Sequence, residues 1–294
     1  MQRTETQVTS PGAVPVTLAV TERGPRSADT HVLLLHGYPD DQSLWDQVVE
    51  ALPDDWHVVT YDARGTGRSS RPTHRHDYLS EYLVEDLVCV LDATLPEGER
   101  VHVVAHDWGS VVAWEAVAAA TWDPRLERIA TYTSISGPPM DHLATLTSTW
   151  GGRLRMIPQF VHSIYAMIFL LPVFPEFAAR HAQGLLRWLF GALDPSAHLL
   201  PWGREVRQNA VPAVNLYRAN RSRLEYSLPW RTSTPVLLVV PLRDGFILRR
   251  SLTHLDARCR DLTTVEVDCG HWVPRARPEE LAGLVTEFVR GHSA

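Results

Sequence analysis

Val103-Val104-Ala105-His106-Asp107-Trp108-Gly109 is the stretch on which the reading of this chain turns. Its first residues end a short, continuous apolar run at 101–105, the mark of a strand buried on both faces. The Ala/Val-rich residues 110–120 that follow Gly109 read as a helix. Small residues flanking a polar one permit a sharp strand-to-helix turn, which lifts the central side chain out at the helix N-terminus. The first helical N–H groups favour an anion at that place. Asp107 is then either a plain helix cap or a reactive carboxylate, and the turn by itself does not separate the two.

Working outward, further strands are expected at residues 16–20, 32–35, 58–61, 129–134, 236–240 and 263–267. Helices are expected at 79–95, with Ser80 as N-cap, at 249–257 and at 278–290. Strands alternating with helices imply an α/β fold with a parallel sheet covered on both faces. The rhythm breaks between residues 138 and 230, where aromatics, Leu and Pro dominate, so a mostly helical cap is expected there. Residues 1–137 and 231–294 would then form the α/β core. Polar residues cluster just past the strand ends: His36-Gly37-Tyr38-Pro39, the run from Asp62 to Ser69, Asp244, and Cys269-Gly270-His271-Trp272. Open parallel sheets bind ligands along that edge.

Composition narrows the function class. The chain has 294 residues, 45% hydrophobic and 21% charged, with a net charge of −6, which suits a globular enzyme and argues against a nucleic-acid surface. Cys89, Cys259 and Cys269 have the spacing of neither a metal site nor a disulfide framework, and a reducing cytoplasm is the default compartment. His142, His162 and His181 also lack metal spacing, so no metal is expected. The polar first ten residues do not read as a signal peptide. Residues 164–174 are the most apolar, but they are too short to span a bilayer and Pro172 interrupts them. They read as a pocket wall or buried helix, and no stable membrane insertion is expected.

Together these motifs resemble the α/β-hydrolase superfamily and, within it, the epoxide hydrolase group. The resemblance runs from about Val16 to Val289 and rests on His-Gly-Tyr-Pro, Asp-Ala-Arg-Gly-Thr-Gly-Arg-Ser and His-Asp-Trp-Gly. One departure is Ala105, where the elbow usually begins with Gly. The segment Ser134-Ile135-Ser136-Gly137-Pro138-Pro139 is similar to bacterial members sometimes fused to a short-chain dehydrogenase domain. No Gly-rich dinucleotide fingerprint is present, so that domain is not expected here.

The resemblance implies a set of roles. Asp107 would be the nucleophile. A serine attacking saturated carbon would leave an inert ether, whereas a carboxylate leaves an ester that water can cleave. His271 would activate that water, and Asp244 would orient His271. Asp244 also sits in Arg243-Asp244-Gly245, a good turn sequence, so a turn role stands beside the catalytic one. The backbone N–H groups of Tyr38 and Trp108 would form an oxyanion hole. Tyr165 in Tyr-x-x-x-Phe-x-x-Pro and Tyr217 in Asn-x-Tyr-Arg match the cap stretches that supply ring-opening tyrosines. His36, Phe169 and Trp272 would contact substrate, and Asp62 and Arg64 would hold a structural turn.

An apolar cavity is expected from Phe160, Ile164, Ile168, Phe169, Leu170 and Leu171, with Val173, Phe174, Trp188 and Leu189 beyond them. The reading is a cofactor-independent epoxide hydrolase acting on a small apolar epoxide and water, with a homodimer left open. Three alternatives stand beside it: a haloalkane dehalogenase, a biosynthetic enzyme using the same pocket, and a non-catalytic ligand-binding protein. Trp108 suits the dehalogenase, but those enzymes usually carry Asn where Tyr38 stands.

Overall fold

The computed structural model describes residues 3–224 and 230–292. Its eight strands are β1 (Arg3–Ser10), β2 (Val16–Arg23), β3 (His31–Leu35), β4 (His57–Tyr61), β5 (Val101–His106), β6 (Ile129–Ile135), β7 (Val236–Pro241) and β8 (Leu262–Val267). They form one sheet in the order β1-β2-β4-β3-β5-β6-β7-β8. β1 and β2 pair antiparallel with their neighbours, and every pairing from β4 to β8 is parallel. β3, β4, β5, β6 and β7 are buried at every residue. Burial on both faces removes the need for a polar face, so β3 (HVLLL) and β7 (VLLVVP) are nearly continuous Val/Leu runs, while the polar residues of β4, β5 and β6 are buried as well.

The helices of the core are α1 (Asp46–Ala51), α2 (Ser80–Thr94) and α3 (Trp108–Ala119). Between β6 and β7 lie α4 (His142–Leu146), α5 (Trp150–His162), α6 (Ile164–Phe169), α7 (Phe174–His181), α8 (Gln183–Leu193) and α9 (Arg204–Ala219), and after β8 come α10 (Val273–Ala276) and α11 (Pro278–Gly291). Two groups flank the sheet: α1 packs on α10 and α11, and α2 packs on α3.

Three elements differ from the sequence reading. β1 is an added edge strand: its sequence RTETQVTS is nearly all polar because most of it is exposed, so it carries no hydrophobic signature. Ser80 is not the N-cap of α2 but its first helical residue, with Leu79 at the cap. The Ser80 N–H instead donates to Asn220 Oδ1 at 2.9 Å, a partner 140 residues away. The stretch 249–257 forms two short 3-10 turns, Arg249–Leu252 and Leu255–Ala257, because His254 between them takes a left-handed φ of 64°.

Buried polar side chains from α5, α9 and the segments after α8 and α9 stitch this helical layer to the core. Gln159 Nε2 donates to Phe246 O at 2.8 Å and its Oε1 accepts from Leu248 N at 2.8 Å. Asn209 accepts from Gly67 N at 2.9 Å and donates to Asp41 at 3.1 Å. Asn220 adds a donation to Tyr78 O at 2.8 Å. Each satisfies a loop backbone group that would otherwise be left unpaired in the seam.

Candidate active site

Asp107 stands between β5 and α3 with φ 53° and ψ −121°, a conformation a non-glycine residue adopts only when its surroundings enforce it. Glycine makes the enforcement sterically workable. A Cβ on Gly109 would meet the carbonyl oxygens of Leu35 and His36, and a Cβ on Gly37 would land on the Asp107 carboxylate. The two motifs therefore press backbone against backbone around one side chain. Asp107 Oδ1 accepts from Tyr38 N–H at 2.6 Å. The Trp108 nitrogen borders the same spot, 2.6 Å from where a Gly37 Cβ would sit.

His271, on the loop after β8, stands between two carboxylates. Its Nδ1 faces Asp244 Oδ1 and Oδ2 at 3.1 and 3.0 Å, and its Nε2 lies 3.6 Å from Asp107 Oδ2. Asp244 Oδ1 also accepts from the N–H groups of Phe246 and Ile247, both at 2.8 Å. It is thus a turn residue and the imidazole's partner at once. Burial alone would drive His271 neutral, but the Asp244 and Asp107 carboxylates overcome it and raise its pKa well above the usual histidine value. Burial also opposes ionisation of Asp107, yet His271 and the Tyr38 N–H hold its carboxyl below the ordinary range. Both shifts favour an ionised Asp107 beside a protonated His271.

Tyr165 from α6 and Tyr217 from α9 meet over this group, with ring centroids 6.3 Å apart. Burial raises both phenol pKa values, and the Asp107 carboxylate adds to each, so both hydroxyls are protonated donors. Asp107, Trp108, Tyr165 and Tyr217 share a cavity of about 370 Å³ with Val111, Phe160, Met167, Leu170 and Ile247. A smaller recess joins Tyr38, Asp107, Tyr165, Tyr217, His271 and Trp272.

The other residues singled out from sequence take different places. Trp272 borders the recess, but its indole N–H is committed to Asp40 Oδ2 at 2.8 Å. Phe169 does not line the cavity; it is wedged against Tyr38, Tyr165 and Tyr217 and sets their rings. His36 also stands outside it: the imidazole accepts from Ala63 N at 3.0 Å and faces Gly37 O, tying the loop after β3 to the loop after β4. Arg64 is buried, forks onto Asp86 at 2.7 and 2.5 Å and donates to Asp77 O, while Asp62 accepts from Gln42 N and Arg68 N. Of the apolar residues expected to line the pocket, Phe160 and Leu170 do so, whereas Ile164, Ile168, Leu171, Val173, Phe174, Trp188 and Leu189 face outward.

Two residues of consequence have no role assigned from sequence: Asp194, which no motif marks, and His106, which stands in the His-Asp-Trp-Gly motif. Asp194, just past α8 and fully buried, accepts through Oδ2 from both Gly245 N at 2.9 Å and His271 N at 2.8 Å. Its Oδ1 accepts from Ser196 N at 2.8 Å and Ser196 Oγ at 2.5 Å, and that hydroxyl accepts from Trp272 N at 3.0 Å. One carboxylate thus clasps the two loops that bear Asp244 and His271. His106 holds the His271 carbonyl through Nε2 at 3.0 Å, and burial with the nearby His271 lowers its pKa to about 4, so it is neutral.

A profile of the alpha/beta hydrolase fold matches residues 30–274, which is most of the chain. The chain belongs to the α/β-hydrolase family. Its relatives include "Probable oxidoreductase EphD" of Mycobacterium tuberculosis, 32% identical over 289 residues; the match covers 93% of this chain but only 48% of EphD, about half that protein's length. "Epoxide hydrolase A" of Mycobacterium tuberculosis is 27% identical, with 94% of this chain and 95% of that one covered. Among solved structures, an epoxide hydrolase of Bacillus megaterium in complex with an inhibitor superposes with a TM-score of 0.77 at 19% identity, covering 97% of this α/β-hydrolase and 100% of that chain.

Proposed function

We propose that this α/β-hydrolase is an epoxide hydrolase that opens an apolar epoxide to a vicinal diol through an ester on Asp107. The observation that carries the reading is the placement of the Asp107 carboxyl group and two tyrosines in one apolar cavity, with the His271–Asp244 pair behind the carboxyl group; the shifts of Asp107 downward and of both phenols upward favour the ionised nucleophile and the protonated donors. A strained ring needs a nucleophile on carbon and a proton for oxygen at the same moment, and the cavity holds both. The relatives and structural neighbours named as epoxide hydrolases support the same class.

In the first step Asp107 Oδ2 bonds to an epoxide carbon and the ring C–O bond breaks. Tyr165 or Tyr217 gives its proton to the departing oxygen, and the resulting tyrosinate regains one from the His271 imidazolium. Esterification removes one of the two negative charges that raised the His271 pKa, so the neutral imidazole becomes the favoured form. Water then attacks the ester carbon and passes a proton to His271 Nε2. Asp107 Oδ1, already held by the Tyr38 N–H, becomes the carbonyl oxygen whose charge the oxyanion hole stabilises. Collapse expels the diol oxygen, which takes up the proton held by His271, and the hydroxyl proton remaining on Asp107 passes to His271, so that the carboxylate and the imidazolium are restored.

The test is a single turnover of an aryl epoxide in ¹⁸O-labelled water. Unlabelled oxygen in the first diol, with the label appearing in Asp107, is the expected result. Label in the first diol would mean direct attack by water and would overturn the ester scheme.

A further inference from the structure

Of the 18 large apolar side chains exposed among the described residues, 15 fall between Trp150 and Leu189, on α5 to α8 and their connections. On α5 the outer stripe is Trp150, Leu154, Ile157 and Val161, while Gly152, Met156 and Gln159 face inward. This amphipathic helix presents its apolar side to solvent. Trp188 on α8 is 67% exposed and Val173, at the turn into α7, is 73% exposed. The helices pack in succession, α5 on α6, α6 on α7 and α7 on α8, which makes the face continuous. An apolar surface of this extent marks a binding face.

The charge distribution says what it binds. All 28 basic residues of the chain are arginines. Residues 138–230 carry nine arginines against five carboxylates, a net +4 within a chain of net −6. Arg153, Arg155, Arg180 and Arg187 lie exposed among the apolar residues, and no described carboxylate pairs with any of them. The one acid between Trp150 and Leu189, Glu176, is taken by Arg218. A second copy of the chain seated on this face would set arginines against arginines with no free acid to offset them. An anionic lipid surface offers both an apolar layer and phosphate oxygens that match the guanidinium fork.

We propose that the outer face of α5–α8 docks this protein on an anionic phospholipid surface. Phe160 and Met167 line the Asp107 cavity and are also 47% and 65% exposed on that face. Docking therefore sets the cavity mouth against the lipid, so that an apolar substrate passes from one apolar phase into another without crossing water. The docking itself does not depend on the chemistry at Asp107.

The experiment is flotation of the full chain with phosphatidylcholine vesicles, with and without phosphatidylglycerol, at low and high salt. Two variant sets keep the cavity intact: Trp150→Ser/Val173→Ser/Trp188→Ser and Arg153→Ser/Arg155→Ser/Arg187→Ser, each checked for parental circular dichroism. Expected are binding to the anionic vesicles that weakens with salt, a loss of roughly fivefold per arginine removed, and a loss of at least about tenfold for the apolar set. Asp107→Asn should float like the parent. Equal binding to neutral and anionic vesicles, no binding to either, or binding that both variant sets leave unchanged would overturn the proposal. So would a sedimentation-measured dimer that both variant sets dissociate and that binds no vesicle, which would give the face to a second copy.

Discussion

Asp194→Asn isolates the clasp between the two loops that carry Asp244 and His271. The substitution keeps shape and removes charge, and its cost follows from the four hydrogen bonds the carboxylate accepts. If the amide nitrogen takes the place of Oδ2, the Gly245 and His271 N–H groups both lose their acceptor. If it takes the place of Oδ1, the Ser196 N–H loses its acceptor and the other two bonds lose charge assistance. A buried donor left unpaired costs about 1–3 kcal/mol, and a charge-assisted bond is worth roughly twice a neutral one. The protein takes the cheaper orientation, so the expected loss is about 2–4 kcal/mol, a large share of a domain's typical stability. Urea unfolding reads that loss. Because the freed N–H groups belong to the loops of Asp244 and His271, kcat should also fall about 10–100-fold. Ester hydrolysis should slow more than ester formation, a split that a merely smaller folded fraction would not produce. A parental urea midpoint with parental turnover would mean that Asp194 does not hold the two loops.

Further expectations follow from the same geometry. Tyr165→Phe and Tyr217→Phe should each slow ester formation about 10²-fold, and together about 10⁴-fold, in stopped-flow single turnovers; an unchanged rate in either would remove that hydroxyl from the scheme. Arg64→Met strands the fully buried Asp86, so denaturation should show a loss of about 3–5 kcal/mol, largely recovered in Arg64→Met/Asp86→Leu. His102 and His106 have burial-lowered pKa values of about 4 against an ordinary 6.5, so the unfolded chain binds more protons below pH 6.5. Urea midpoints should therefore fall steadily as the pH drops from 6.5 toward 4, and less so in His102→Gln. His271 has the opposite sign: its raised folded value stabilises the protein below 6.5, and that part is lost as the pH rises through the folded value.

The sheet was legible because burial on both faces writes itself into short apolar runs, which placed β3, β4, β5 and β7 within a residue, whereas β6, IATYTSI, is just as buried but carries Thr and Ser between its apolar residues. The turn at Asp107 was legible because small residues flank a polar one between a strand and a helix, and Gly37 and Gly109 indeed meet backbone or carboxylate at close range; the role of Asp107 was not legible from that turn alone. What the sequence concealed depends on distant partners. The Ser80 amide finds Asn220, and Asp194 finds Gly245 and His271, over separations that no local pattern encodes. Polar β1 is held by its backbone pairing with β2, which leaves no trace in its hydrophobicity. The apolar residues 164–174 were legible in part: Tyr165, Ala166, Met167 and Leu170 do wall the cavity, but Ile164, Ile168, Leu171, Val173 and Phe174 face out, on a side of the helical layer that nothing within the chain covers among the described residues.

The ester on Asp107 can be sought directly by intact-protein and peptide mass spectrometry of His271→Gln after exposure to an aryl epoxide that the parent turns over. The expected result is a mass increase equal to one epoxide, localised to Asp107, that persists because the ester forms and is not hydrolysed. Continued diol release without any adduct, or an adduct on another residue while Asp107 stays free, would contradict it.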